Sequence, residues 1–95
     1  MKTRLTRLAE QDLRHVEEYV RTKDSLASTR LVLRILETIE GLSAFPNLGR
    51  PGRVPGTREL VMSGTPYIAV YRVRENVIWV LRVLHAARRW PPGRE

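Results

Sequence analysis

The chain contains no cysteine. That excludes disulfide staples, thiolate zinc sites and thiol catalysis, and it leaves the redox compartment open. Long apolar runs are also missing. The longest, Val77 to Leu81, is far short of bilayer thickness, and the opening MKTRLTRLAEQDL has no apolar core before a small-residue cleavage site. The expected compartment is therefore the cytoplasm, with no membrane partner. The sequence carries no metal-ligand cluster, phosphate loop, serine triad or nucleotide fingerprint. No metal, cofactor or small-molecule ligand is expected. Internal repeats and low-complexity tracts are absent as well.

Lysine is nearly absent too, although the chain is strongly basic. Its net charge is +7, from 17 basic and 10 acidic residues, and all but two of the cations are arginine. Lysine would serve solubility equally well, whereas the guanidinium fork suits phosphate and carboxylate. This balance points to an anionic partner: nucleic acid, an acidic protein or an anionic surface. At 95 residues and 42% hydrophobic content, the chain supports one small globular domain over residues 1–95.

Hydrophobic periodicity places the elements. Lys2 to Leu8 alternates cationic with small or apolar residues and reads as an edge strand. Ala9, Leu13, Val16 and Val20 form the stripe of a helix over about Ala9 to Lys23, with Gln11, Asp12, Glu17 and Glu18 on its other faces. Asp24 with Ser25 can cap a second helix reaching about Ala44. Its stripe is Val32, Ile35, Leu36, Ile39 and Leu42, closed by Phe45. The proline- and glycine-dense stretch Phe45 to Gly56 is an ordered surface loop, with Phe45 and Leu48 expected to anchor it to the core. Three strands follow: Thr57 to Met62, Tyr67 to Arg74 and Val77 to His85, the last two joined at Glu75-Asn76. VIWVLRVL is apolar on both faces except at Arg82, as in a central strand. The expected fold is α+β, β-α-α-β-β-β, an antiparallel sheet with a helical hairpin packed on one face.

The other face is where the arginines are expected to gather. Arg72 and Arg74 share one strand face, Arg82 lies on the neighbouring strand, and Arg88 and Arg89 follow it. Arg50, Arg53 and Arg58 join them from the loop and the next strand. His85, beside Arg88 and Arg89, is a candidate acid or base for phosphodiester cleavage, or else a strand-end residue bonded to backbone. Trp90, in a basic tail, can stack on a base or pack on the sheet, while Trp79 is expected in the core. Tyr67 and Tyr71 share a strand face and are expected in the core with polar tips, and His15 at the surface.

The successive segments LAEQDLRHVEEYV, ILETIEGLSAFPNLGRPGR, GTREL, PYIAVYRV and VIWVLRVLHAARRWP resemble the RelE/ParE toxin superfamily, in order and over nearly the whole chain, particularly its ParE-like and plasmid-stabilisation branches. The resemblance implies the same fold and a partner antitoxin whose C-terminal segment winds over the toxin. Its acidic or amphipathic chemistry would bury part of the arginine surface. It also implies one of two targets, DNA gyrase for ParE-like members or ribosome-bound mRNA for RelE-like endoribonucleases. The strand cations of the RNA-cleaving branch fall here on Glu59, Val61 and Ile68, and the tail tyrosine is missing. His85 stands where both branches keep a histidine, with Arg82, Arg88 and Arg89 near it. These departures tilt the expectation toward ParE-like action. A non-catalytic nucleic-acid-binding module stays as a third reading.

Amide exchange across residues 45–56 should be much slower than in a free peptide of the same sequence. Uniformly fast exchange would contradict an ordered loop.

Overall fold

The computed structural model describes residues 1–87 and 90. Its elements run β1 (Lys2–Leu5), α1 (Arg7–Arg21), α2 (Ser25–Glu40), β2 (Arg50–Pro51), β3 (Arg58–Val61), β4 (Tyr67–Arg74) and β5 (Val77–His85), with a 3-10 turn at Gly41–Ser43. The sheet has five strands in the order β1-β5-β4-β3-β2. The helical hairpin on a sheet is as the periodicity indicates. The sheet is mixed, however, because β1 runs parallel to β5 while the other pairs are antiparallel. A crossover through two helices returns the chain in the same direction, which a short hairpin cannot do.

Local chemistry fixes the boundaries. Thr6 caps α1, accepting from the Ala9 amide at 3.2 Å, so the helix begins two residues before the apolar stripe does. Asp24 caps α2 with bonds to the amides of Leu26 and Ala27. Glu75 and Asn76 both adopt positive φ, 50° and 63°, the backbone of a type I′ hairpin turn. Ala9, Leu13, Val16, Ile35, Ile39 and Leu42 pack on Leu60, Met62, Ala69, Tyr71, Ile78, Val80 and Val83 to form the main core. Leu36 and Phe45 are outside it, exposed by 38% and 66%.

The 45–56 loop is therefore held differently from expectation. Leu48 is 60% exposed and, like Phe45, does not reach the core. Hydrogen bonds hold the loop instead. The fully buried Tyr71 donates its hydroxyl to the Pro46 carbonyl at 2.8 Å and accepts the Gly49 amide at 2.9 Å. Arg58 donates to the Gly49 carbonyl at 2.7 Å. Gly49 lies so close to the Tyr71 ring that an added Cβ would come within 2.8 Å of it. The short β2 pairs Arg50 with Glu59 and Pro51 with Arg58. Proline suits this outermost position because it has no amide to leave unpaired.

Tyr71→Phe removes one hydroxyl and leaves two backbone groups of the loop unpaired, which should cost about 1–3 kcal/mol. Thermal melting should show the loss, and exchange at the Gly49 amide should accelerate. An unchanged melting temperature would mean that something else holds the loop.

Candidate functional site

The registers divide the polar side chains between two faces of the sheet. Ile78 and Val80 belong to the helix-side core, so Val77 and Trp79 point to the open face. Arg4, Trp79 and Arg72 lie in one row across β1, β5 and β4, and Lys2, Val77 and Arg74 lie in the next. Cross-strand partners share a face. Trp79 is thus a half-buried indole framed by four cations on the open face, and not the core residue expected from the sequence. Lys2 and Arg4 belong to this face although sequence reasoning assigned them no role. The alternation in KTRL carried the signal.

Farther along β4 and β5 the open face carries an apolar cluster. Ile68, Val70 and Leu84 are buried there, with Leu81 and Trp90 packed against them. Trp90 therefore covers the sheet, and its carbonyl accepts from Arg53 at 3.3 Å. Beside it lies Glu59, a carboxylate only 2% exposed. It accepts from Arg50 at 3.3 Å and from the Arg53 amide at 3.1 Å, with the Arg53 guanidinium at 3.9 Å. Arg50 and Arg53 thus sit at the rim of the open face, sharing one negative charge between them.

Arg58, Arg82 and His85 do not join the arginine cluster. Arg58 shares a row with Tyr71 on the helical side and braces the loop. Arg82 makes a two-point ion pair with Asp12 of α1, at 2.8 and 3.0 Å. Hydrogen bonding to Asp12 raises the Arg82 pKa above its usual value. Sequence reasoning set Asp12 on an outer helix face, yet it is buried. Two signals were available: its place one turn from Ala9 and Val16, and a lone arginine in an apolar strand.

The same spot holds an irregularity in β5. Val70 pairs with Arg82 and Tyr71 with Val80, so Leu81 is an extra residue. The Leu81 carbonyl accepts from the Thr6 hydroxyl at 2.9 Å, and the Val83 amide donates to Asp12 at 2.9 Å. Both groups come from the start of α1.

His85 pairs with Tyr67 and so faces the helices. The two rings meet edge to face, with centroids 5.6 Å apart. Nδ1 of His85 accepts the Ala87 amide at 3.2 Å, the backbone-bonded alternative named above. A small cleft of about 160 Å³ there is lined by His15, Tyr19, Tyr67 and His85 among others. Burial, and secondly Tyr19, raise the Tyr67 pKa. His15 is exposed, as expected. Arg88 and Arg89 lie outside the described residues. Among the described residues no group of three or more His, Asp or Glu side chains is placed to hold a metal ion, and no helix is long and apolar enough to cross a membrane.

The arrangement is that of a small basic domain with one open sheet face. The ParE toxin family profile, for toxins of the parDE type II toxin–antitoxin system, matches residues 3–90, and the chain belongs to that family. It is 39% identical over 90 residues to the candidate toxin Y4kP of Sinorhizobium fredii, covering 95% of this chain and 93% of that one. It is 32% identical over 77 residues to toxin RelE2 of Caulobacter vibrioides, covering 81% and 85%. Among solved structures, the chromosomal ParDE toxin–antitoxin system of P. aeruginosa superposes with a TM-score of 0.83 at 32% identity, covering 90% of this chain and 95% of that one. The RelBE2 toxin–antitoxin complex of Mycobacterium tuberculosis gives 0.66 at 26% identity, covering 88% and 95%.

Asp12→Ala leaves Arg82 without its partner and the Val83 amide unpaired, and should cost about 3 kcal/mol. For a domain of this size that lowers the melting temperature by roughly 10 °C or more. Asp12→Asn keeps an acceptor for Val83 and should cost less. Equal melting of Asp12→Ala and the parent would show that the clamp contributes nothing.

Proposed function

We propose that the chain is the toxin of a two-protein pair. It arrests growth when free, is neutralised by a cognate antitoxin, and acts in the cytoplasm in the ParE-like manner, on DNA gyrase. The observation that carries the choice of target is the separation of His85 from the open-face cations. Cleaving a phosphodiester asks for an acid or base and for cationic stabilisers around one phosphate. Here His85 faces α1 with Nδ1 engaged, Arg82 is engaged by Asp12, and Arg72 and Arg74 lie across the sheet. The described residues bring no such set together.

The open face instead suits binding: four cations around an indole can grip an anionic surface without chemistry. The better superposition on the ParDE structure than on RelBE2 agrees in direction. Both neighbours are named as toxin–antitoxin systems, which supports an antitoxin for this chain. With an excess of seven positive charges, the toxin should attract an acidic or amphipathic antitoxin segment, and association should slow as salt rises.

Expressed alone, the protein should disturb DNA supercoiling before translation fails. His85→Ala should keep its toxicity, whereas Arg72→Ala with Arg74→Ala should weaken it in a graded, salt-dependent way. In the RNA-cleaving alternative, His85→Ala would lower the rate by about two orders of magnitude. Ribosome-dependent mRNA cleavage that disappears in a folded His85→Ala protein would make that alternative the correct one.

A further inference from the structure

The turn that opens the 45–56 loop holds two large apolar side chains out to solvent. Phe45 is 66% and Leu48 60% exposed. Single exposed leucines are ordinary on protein surfaces, but these two are neighbours. The Leu48 amide donates to the Phe45 carbonyl at 3.0 Å. That bond closes a β-turn with Pro46 and Asn47 at its centre and brings the two Cα atoms within roughly 7 Å.

The turn has no freedom to fold its apolar residues inward. Its Pro46 and Gly49 backbone groups are bonded to the buried Tyr71 hydroxyl, and Arg58 holds the Gly49 carbonyl. Its polar backbone is therefore satisfied on the inside and its hydrophobic surface is displayed on the outside. Ordering entropy that a flexible loop would lose on binding has already been lost in the free protein. Beside the pair lies a cation: the half-buried Arg58 donates its guanidinium to the Asn47 carbonyl at 3.5 Å and to the Gly49 carbonyl at 2.7 Å. The apolar pair thus has a positive charge at its margin.

A convex, rigid turn fits a concave partner. A peptide that wraps would find better purchase in a groove, such as the one of about 320 Å³ between β1 and α2, lined by Leu5, Leu36 and Ile39. We propose that the Phe45–Leu48 turn is the knob with which this toxin docks on the folded protein it inhibits, inserting both side chains into an apolar pocket rimmed by carboxylates. The proposal rests on the reading of the chain as a toxin with a protein target. Such a central, pre-ordered apolar pair has the character of an interface hot spot.

The test uses the full-length chain carrying Phe45→Ala and Leu48→Ala together, with Leu48→Glu as a second variant that puts a charge into the pocket. Both should melt with the parent, since neither side chain is in the core. Both should raise the concentration needed to inhibit gyrase supercoiling by about thirtyfold or more, abolish growth arrest, and still bind the antitoxin encoded with the chain. Leu26→Ala with Leu33→Ala, exposed on α2 by 58% and 55%, should leave arrest intact. Knob variants that arrest growth like the parent overturn the proposal. So do variants that lose antitoxin binding together with arrest, because the knob would then belong to the antitoxin. A parent that arrests growth without touching supercoiling refutes gyrase as target, and the same variants then decide the knob by growth arrest alone. A parent that leaves growth unchanged refutes both.

Discussion

A strand with an extra residue frees backbone groups that its sheet partner cannot reach, and in β5 those groups are taken up by the first turns of α1. Thr6 donates its hydroxyl to the Leu81 carbonyl, and Asp12 accepts from the Val83 amide and from the Arg82 guanidinium. The carboxylate is buried, so its charge is tolerable only with these partners in place. Backbone irregularity, helix cap and ion pair are mutually dependent. They fix where α1 starts and how it lies on the sheet, and α2 follows because it packs on α1.

That clamp also settles how charge is distributed. By drawing Arg82 toward the helices, it removes one cation from the surface and leaves β4 and β1 to supply the open face. Glu59 has a comparable effect at the far edge, gathering Arg50 and Arg53 over a buried carboxylate. Among the described residues, the open-face cations that make no ion pair are concentrated around Trp79. The imidazole of His85 is on the other side of the sheet from them.

The two long strands and their turn were legible from VYRVRENVIWVLRVLH because alternation, β-branched residues and a two-residue turn all agree there. The second helix was legible from its capping aspartate. The parallel pairing of β1 was not, since a four-residue strand does not announce its neighbour. The exposure of Phe45 and Leu48 ran against a sound rule, that large apolar residues seek the core. It failed because Tyr71 offered the loop hydrogen bonds and thereby a different way to be ordered. Trp79 was misplaced for a related reason: an almost wholly apolar strand does not reveal which of its faces the helices cover. The arginines group together because sequence gives their number and strand, while only the structure shows that Arg58 shares a row with Tyr71 and that Asp12 draws Arg82 toward α1.

The pairing of β1 with β5 has a temporal side. β1 needs β5, which lies far along the chain from it, since Lys2 to Leu5 align with Val77 to Val80. During synthesis β1 and both helices must wait, with their apolar stripes uncovered, until β5 has emerged. Contacts of such long sequence separation form late and slowly. A chain interrupted midway therefore has neither a completed sheet nor an open cationic face.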